Sequence, residues 1–273
     1  MILVIGASGL VGSEVVKCLA NSGAAYRVTS RRQGTMDVYL DFENPETFHQ
    51  ALSGVQKLFF VRPPELADAK RYFKPLIEAA VANNVQHIVF LSLLGAEKNP
   101  IVPHSKIEKL IIASKIPYTF LRPSFFMQNL YTQHGKELKE DREIFVPAGH
   151  GRTSFIDVRD IAEIAAKVLT QSGHENKGYS LTGSEALSYD EVARIISEET
   201  GVPVRYSNPS VRKFRARMKK SGIPSTFITV MIGIYFTAKI GLAKKVTPDL
   251  EQLLGRKPLT VRQFVRDYRH KLI

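Results

Sequence analysis

Three glycines near the N-terminus have the spacing of a phosphate-binding loop. They lie in Gly6-Ala7-Ser8-Gly9-Leu10-Val11-Gly12, between an apolar run and a helical pattern. The first glycine permits a tight turn, the second lets a pyrophosphate approach the backbone, and the third lets the helix pack closely on the sheet. The helix N-terminus adds free N–H groups and a partial positive charge. The spacing therefore predicts a dinucleotide-binding loop.

The end of the second predicted strand indicates which dinucleotide is bound. Ser30-Arg31-Arg32 stands where an acidic residue would hold the ribose hydroxyls of NAD. Two guanidinium groups and a hydroxyl suit a 2′-phosphate, which a carboxylate would repel. We therefore expect NADP(H) in preference to NAD(H). The alternative interpretation is that both arginines are ordinary surface charges.

Strand and helix patterns alternate from Ile2 to Pro123, which predicts a doubly wound parallel α/β sheet of the Rossmann type. Helical crossovers make successive strands parallel. Beyond Pro123 the alternation loosens and the chain becomes mainly helical, which predicts a smaller C-terminal cap. We expect a nucleotide-binding domain at 1–124 plus 154–183 and a substrate-binding cap at 125–153 plus 184–273. The predicted elements include a strand at Met36–Leu40, a helix at Phe125–Lys139 and a strand at Tyr179–Thr182.

The composition excludes several kinds of site. One cysteine among 273 residues excludes an internal disulfide framework and a cysteine-based zinc site, and no H-E-x-x-H motif is present, so no metal is expected. The N-terminus has no basic region typical of a signal peptide. The apolar run Phe227–Phe236 is too short to span a bilayer. We therefore expect a cytoplasmic protein with no membrane partner.

The net charge of +12 could attract a polyanion. The densest basic stretch is 211–220, in which Val211, Phe214 and Met218 have helical spacing. The charges then form the solvated side of one amphipathic helix. No helix-turn-helix, RNA-binding or zinc motif supports nucleic acid as a partner.

Several motifs together resemble the NmrA-like group of atypical short-chain dehydrogenase/reductases. Beside the glycine loop, the matching segments are Asp41–Gly54, Val89–Gly95, His104–Glu108, Leu121–Asn129, Phe155–Asp160 and Leu254–Pro258. The Arg-Pro-x-x-Phe-Met-x-Asn pattern within Leu121–Asn129 is the most specific. Members of the group include NAD(P)H-dependent reductases of quinones, azo dyes, triphenylmethane dyes and clavine alkaloids. Other members are regulators that bind a dinucleotide without catalysis.

The resemblance also implies which residues line the cofactor and the substrate. The glycine loop would hold the pyrophosphate, and Arg31 would hold the 2′-phosphate. The other cofactor residues would be Asp41 and Phe42 at the adenine, Val61, Arg62 and Pro63 beyond the fourth strand, Ser92 and Lys106 at the nicotinamide ribose, and Pro123, Ser124, Phe125 and Phe126 around the nicotinamide ring. Phe126, Asn129 and Tyr131 would line the substrate pocket, and Asn129 would also anchor its own loop.

One departure from the family pattern concerns the proton donor. Classical members of the short-chain dehydrogenase superfamily use Tyr-x-x-x-Lys, in which the lysine lowers the pKa of the tyrosine. Here Val102 occupies the tyrosine position before Lys106. Carbonyl–alcohol chemistry would lack its usual acid, whereas quinones, dyes and conjugated imines accept hydride readily and can take a proton from water. Lys106 then remains as the catalytic candidate, with an ammonium group that would orient the nicotinamide ribose. His104 could donate a proton near the site, although the alternative interpretation is an ordinary surface histidine.

Two functions are therefore weighed against each other. The first is an NADPH-dependent reductase that transfers hydride to a flat conjugated acceptor, such as a quinone. The second is a non-catalytic NADP(H) sensor that acts through a protein partner. A sugar-nucleotide epimerase ranks last, because such enzymes use the missing tyrosine. A homodimer is left open.

Overall fold

The described residues of the computed structural model, 1–31 and 38–273, contain strands and helices largely in the predicted order. The strands are β1 (Ile2–Ile5), β2 (Tyr26–Ser30), β3 (Val38–Tyr39), β4 (Lys57–Val61), β5 (His87–Leu91), β6 (Tyr118–Pro123), β7 (Glu143–Ile144), β8 (Arg152–Thr153), β9 (Lys177–Leu181), β10 (Leu187–Ser188) and β11 (Arg205–Tyr206). The helices are α1 (Leu10–Asn21), α2 (Glu46–Leu52), α3 (Ala69–Ala82), α4 (Pro103–Ala113), α5 (Asn129–Thr132), α6 (Gly135–Glu140), α7 (Val158–Thr170), α8 (Tyr189–Thr200), α9 (Val211–Lys220), α10 (Ser225–Lys239), α11 (Asp249–Leu254) and α12 (Val261–Leu272). Arg32 and the start of the strand predicted at Met36–Leu40 lie outside the described residues.

A seven-stranded parallel sheet forms the larger of two compact units, which comprises residues 1–123 and 158–181. Its strand order is β3-β2-β1-β4-β5-β6-β9, and each neighbouring pair is parallel. The predicted strand at Tyr179–Thr182 is β9, which pairs with β6. The strand order reverses at β1, and the crevice at such a reversal is where doubly wound sheets bind ligands. The predicted fold class is confirmed.

Continuous apolar strands explain why this sheet is covered on both faces. All four residues of β1 and all five of β5 are buried. Phenylalanine rings fill the space under α2 and α3, with the Phe60 ring 4.7 Å from Phe90 and 6.0 Å from Phe73. The helices α1 and α7 pack against each other. This packing fixes the carboxyl ends of the strands, where the candidate site lies.

The second unit comprises residues 124–157 and 182–273 and has its own hydrophobic core. Two short sheets belong to it, an antiparallel pair of β8 with β10 and a parallel pair of β7 with β11. A capping box begins α8, where the Ser188 hydroxyl accepts from the Glu191 N–H and the Glu191 carboxylate accepts in return. Gly201, with φ 74°, ends the same helix.

The helix predicted at Phe125–Lys139 is wrong in its first part, and the remainder is two short helices, α5 and α6, separated at residues 133–134. The backbone of the first part pairs with Ile156, whose N–H donates to the Phe125 carbonyl and whose carbonyl accepts from Met127, both at 2.9 Å. The Gln128 carboxamide is fully buried and donates to the Asp157 carboxylate at 2.8 Å. These long-range bonds outweigh the helical propensity, and helix begins only at α5.

In the described part of the chain, no single helix is long and apolar enough to cross a membrane. Residues Ser225–Lys239 and Leu242–Leu254 reach the necessary length and apolar composition only as a pair, and the pair is bent by 74°.

Candidate active site

The glycine loop is a tight turn on which the first helix packs at backbone distance. Gly6 has a φ of 89°, in the left-handed region that favours glycine. A Cβ on Gly12 would lie 2.1 Å from the Gly6 carbonyl oxygen and 3.0 Å from Ala7 Cα. The Gly9 N–H donates to the same Gly6 carbonyl at 3.0 Å. The φ of Gly6 suits the predicted tight turn. A close approach is also present at Gly12, but the atoms nearest to its added Cβ belong to the turn at Gly6 and Ala7.

The N-terminus of α1 is open to an anion. Gly9 is the N-cap residue, and no side chain caps the first N–H groups of the helix. Ser8, Gly9 and Leu10 are exposed, so solvent reaches these N–H groups. A pyrophosphate needs such free donors, and a Cβ on Gly9 would narrow the approach. The residues present therefore fit the diphosphate of a dinucleotide.

The carboxyl end of β4 lies directly beside the glycine loop. The Val61 Cβ is 3.4 Å from the position of a Cβ on Gly6. Arg62, which follows it, donates from Nη1 to the carbonyls of Pro63, Pro64 and Leu66 at 2.8, 2.9 and 3.1 Å. Burial lowers the pKa of this guanidinium. Arg62 therefore shapes the loop beyond β4, and Val61 and Pro63 remain predicted cofactor neighbours.

The predicted adenine residues lie at the end of the β3 region. The Asp41 carboxylate accepts from the Glu43 N–H at 3.0 Å, and the Asp41 N–H donates to Thr47 Oγ1 at 3.1 Å. Asp41 thus builds a turn that begins α2. The Phe42 ring is 8% exposed and lies 5.1 Å from the Phe73 ring. The Phe42 ring therefore belongs to the core, and the place of this residue beside the adenine stays a prediction.

Arg31 follows β2 and is exposed, so its guanidinium is free to meet a ligand from solvent. Its predicted companion Arg32 is outside the described residues. Within the described residues, Arg31 is therefore the side chain on which the predicted preference for a 2′-phosphate depends.

A buried ion pair supports the next part of the sheet edge. Arg122 in β6 donates to both Glu108 carboxylate oxygens, from Nε at 2.9 Å and from Nη2 at 2.7 Å. Ser92, after β5, donates its hydroxyl to the same carboxylate at 2.6 Å. Hydrogen bonding and the charge of Glu108 raise the pKa of Arg122 even though burial opposes this. The Ser92 proton is therefore already engaged, and its predicted position at the nicotinamide ribose stays a prediction.

Sequence reasoning missed the roles of Glu108 and Arg122, although both lie in segments that carry the family resemblance. A signal was present, because Glu108 is three residues from the buried Ile111 and so shares the apolar face of α4. A carboxylate on that face requires a buried cation. Nothing in the sequence showed that the cation would come from β6.

The N-terminal part of α4 presents the catalytic candidate. Lys106 is exposed and forms no ion pair within residues 1–31 and 38–273. Val102 is the N-cap residue of α4, and its side chain carries no hydroxyl. His104 stacks on Phe90 with 6.0 Å between ring centroids, and burial, assisted by the charge of Arg62, lowers its pKa to about 3. His104 is therefore neutral at physiological pH, which disfavours it as the proton donor.

The second unit contains a cavity of about 150 Å³ beside the most specific family motif. Its lining residues are Ser124, Phe125, Phe126, Asn129, Gln133, Met231, Ile234 and Tyr235. The Asn129 side-chain oxygen accepts from Gln133 at 3.1 Å, and the Ser124 hydroxyl lies 3.0 Å from that of Ser154. The cavity walls are mainly aromatic and aliphatic, which suits a flat apolar molecule.

Tyr131, predicted in the substrate pocket, is not part of this cavity wall. Its ring stacks on Phe264 of α12 at 6.0 Å with an interplanar angle of 9°, and the Lys271 ammonium lies 5.1 Å from its centre. The helical periodicity of α5 turns Tyr131 away from Asn129 and towards α12, and a place in the substrate pocket stays a prediction. The sequence pattern did not distinguish these two directions.

One residue of the cavity wall, Tyr235, belongs to a buried polar pair. The Tyr235 hydroxyl is 2.6 Å from His134 Nε2, and both side chains are almost fully buried. Burial lowers the pKa of His134 to about 4 and raises the pKa of Tyr235. Both groups are therefore neutral at physiological pH. Sequence reasoning did not single out either residue, which are separated by about a hundred positions in the chain.

Among the residues that the structure describes, no cluster of three or more histidine, cysteine, aspartate or glutamate side chains could hold a metal ion.

Comparison with known proteins places this geometry in a family. The model of the NmrA-like family matches residues 1–258. The chain is 33% identical to an NAD(P)H azoreductase of Xenophilus azovorans, with 97% of each chain covered. It superposes with a TM-score of 0.89 on the NADPH complex of the quinone oxidoreductase QOR2 from Escherichia coli, at 27% identity over 98% of this chain and 100% of the other. The triphenylmethane reductase of Citrobacter sp., solved with NADP(H), gives 0.87 at 29% identity, covering 97% and 99%. The chain therefore belongs to the NmrA-like family, as its motifs indicated.

Proposed function

We propose that the chain is an NADPH-dependent reductase that transfers hydride to a flat conjugated acceptor such as a quinone, an azo or triphenylmethane dye, or a conjugated imine. The observation that carries this proposal is the open glycine turn, whose uncapped helix N-terminus fits a diphosphate. Its relatives support the reaction class, since one is named an azoreductase and another a quinone oxidoreductase.

In this proposal, the larger unit binds the cofactor. The N–H groups at the start of α1 hold the pyrophosphate, and Arg31 holds the 2′-phosphate from the end of β2. The main chain at Asp41 and Phe42 borders the adenine, and Val61 and Pro63 border the pyrophosphate side. When bound, NADPH supplies the hydride.

Lys106 is the proposed catalytic residue. Its ammonium group is exposed in the first turns of α4, and it would donate to the nicotinamide ribose and hold it in one orientation. The Glu108–Arg122 ion pair keeps α4 attached to β6 and so positions Lys106. Glu108 and Arg122 are thus positioning residues rather than catalytic residues.

The second unit supplies the acceptor pocket. Phe125 and Phe126 offer flat apolar surface in the cavity, and Asn129 is its polar wall. In this proposal Val102 stands at the tyrosine position of the classical Tyr-x-x-x-Lys pattern, so the chain offers no hydroxyl acid there. We therefore assign acceptors that need no protonation in step with hydride arrival and take their proton from water.

The test is the steady-state loss of NADPH absorbance against a panel of benzoquinones, naphthoquinones, azo dyes and triphenylmethane dyes. We expect turnover with at least one class, and we expect Lys106→Ala to lower kcat by roughly tenfold to a hundredfold. Lys109→Ala removes an exposed lysine three residues further along α4 and should leave kcat unchanged. Tight NADPH binding without turnover of any acceptor would favour the sensor function instead.

A further inference from the structure

One stretch of the second unit carries most of the net charge of the protein. Residues 200–248 contain ten lysines and arginines and no aspartate or glutamate, whereas the whole chain has a net charge of +12. Arg205 and Arg217 are paired with the buried Glu143. The other eight form no ion pair with any residue in the described ranges, and they are Arg212, Lys213, Arg215, Lys219, Lys220, Lys239, Lys244 and Lys245.

The same stretch exposes an unusual amount of apolar surface. One face of α10 is buried through Ile228, Met231 and Tyr235. The rest of the helix and the turn after it expose large apolar side chains, which are Phe227, Val230, Ile234, Phe236, Ile240, Leu242 and Val246. Phe236 is 55% exposed and Leu242 is 67% exposed. A helix that is apolar on nearly all sides is normally covered, and such a patch marks an interaction site.

The cations and the apolar side chains lie on neighbouring helices. The Arg215 guanidinium of α9 is 3.5 Å from the hydroxyl of Thr229, an exposed residue of α10. Lys239 ends α10, and Lys244 and Lys245 follow Leu242 after one intervening residue. We call the exposed residues of 211–220 and 225–246 the basic-apolar face.

We propose that the basic-apolar face docks on the surface of an anionic phospholipid bilayer. The apolar side chains would enter the boundary between headgroups and acyl chains, and the cations would meet the lipid phosphates. A two-fold dimer would set the same cations against each other, and a nucleic acid would leave the apolar side chains uncovered. Charge complementarity therefore favours the anionic lipid surface over both.

The geometry supports a helix lying on the membrane rather than crossing it. The 15 residues of α10 extend about 22 Å, which is shorter than a hydrocarbon core of about 30 Å. Its buried face is also committed to the core of the second unit. The expectation of no membrane partner rested on the absence of a spanning segment, and surface docking needs none.

The inference goes beyond the proposed reductase function and is tested without turnover. The chain has no tryptophan, so Phe236→Trp introduces a single reporter in the basic-apolar face. We expect vesicles of phosphatidylcholine mixed with phosphatidylserine to bind this variant and shift its emission to shorter wavelength. Phosphatidylcholine vesicles should do neither, and salt should weaken the binding. Ile112→Trp, at an exposed apolar position of α4, is the control and should show no shift.

Charge variants separate docking from general attraction. Each basic residue near an anionic surface contributes about fivefold to the partition constant, so Lys244→Gln with Lys245→Gln should weaken vesicle binding roughly thirtyfold. Lys70→Gln with Lys109→Gln removes the same charge from exposed positions of the larger unit and should change binding less than twofold.

Four results would overturn the proposal. The first is no binding to anionic vesicles at low salt, and the second is equal weakening by both pairs of lysine variants. The third is an emission shift of Phe236→Trp that depends on protein concentration without vesicles, which would show that a second copy covers the face. Binding of single- or double-stranded DNA that exceeds vesicle binding and is insensitive to Phe236→Ser would also exclude the lipid surface.

Discussion

Replacement of Gly12 by alanine tests the glycine turn with one methyl group. The added Cβ would lie 2.1 Å from the Gly6 carbonyl oxygen and 2.7 Å from its carbon, and both are backbone atoms that cannot rotate away. The turn must retreat by about 1.3 Å to restore ordinary contact at 3.4 Å. Crowding of this kind costs about 1–3 kcal/mol, and the gain from alanine in a helix returns about 1 kcal/mol. We expect Gly12→Ala to lower the free energy of unfolding by up to about 2 kcal/mol.

The same displacement should weaken cofactor binding. Hydrogen bonds from N–H groups to phosphate oxygens require separations of about 2.7–3.2 Å, so a retreat of this size removes one or two of them. A hydrogen bond to a charged group contributes about 1.5–3 kcal/mol. We therefore expect the Kd for NADPH, measured by titration calorimetry, to rise at least tenfold.

Gly233→Ala is the matched control for this substitution. Gly233 also lies within a helix, has no positive φ, and has no atom within 4 Å of an added Cβ. Its replacement should raise the free energy of unfolding by up to about 1 kcal/mol and leave NADPH binding unchanged. If Gly12→Ala unfolds in urea at the same midpoint as the parent and binds NADPH equally well, the reasoning from the glycine turn is refuted.

Three further substitutions probe other parts of the structure. Burial lowers the pKa of His134 from its ordinary value of 6.5 to about 4 in the folded protein. Between these pH values the unfolded chain binds more protons than the folded protein. The free energy of unfolding should therefore fall by about 3 kcal/mol as the pH drops from 6.5 to 4. His134→Gln should remove this loss, which urea titrations at pH 6.5 and pH 4 would measure. The same pH dependence of stability in the variant and the parent would contradict this prediction. Arg122→Met removes the cation that pairs with the buried Glu108 carboxylate and should lower the free energy of unfolding by about 3–5 kcal/mol. Adding Glu108→Gln should restore most of this loss. Additive losses in the double variant would contradict an energetic coupling between Arg122 and Glu108. Arg31→Glu should raise the Kd for NADPH about tenfold and change the Kd for NADH less. Equal effects on both nucleotides would contradict a contact between Arg31 and the 2′-phosphate.

Local patterns predicted the larger unit well. The apolar run before Gly6 and the glycine spacing after it identified β1 and α1, because a buried strand and a tight turn leave few other solutions. The turn from Gly6 to Gly12 was predicted for the same reason, since a backbone turn can be recognised from its glycines alone.

Long-range contacts account for what the sequence did not predict. The segment 125–128 is a bridge and a turn rather than a helix, because its backbone pairs with Ile156 and its buried Gln128 donates to Asp157, and neither partner is near it in sequence. Phe42 and Tyr131 also pack against aromatic rings that are distant in the sequence, Phe73 and Phe264. A single sequence shows which side chains are apolar, and it does not show which neighbour each will find.

Titration calorimetry of the purified protein with NADPH and with NADH tests the central claim most directly. The claim is that the turn from Gly6 to Gly12 holds the diphosphate of a dinucleotide, with Arg31 beside its 2′-phosphate. We expect one NADPH to bind per chain, more tightly than NADH. Absence of heat with either nucleotide, from a protein shown to be folded by a cooperative urea transition, would contradict the account.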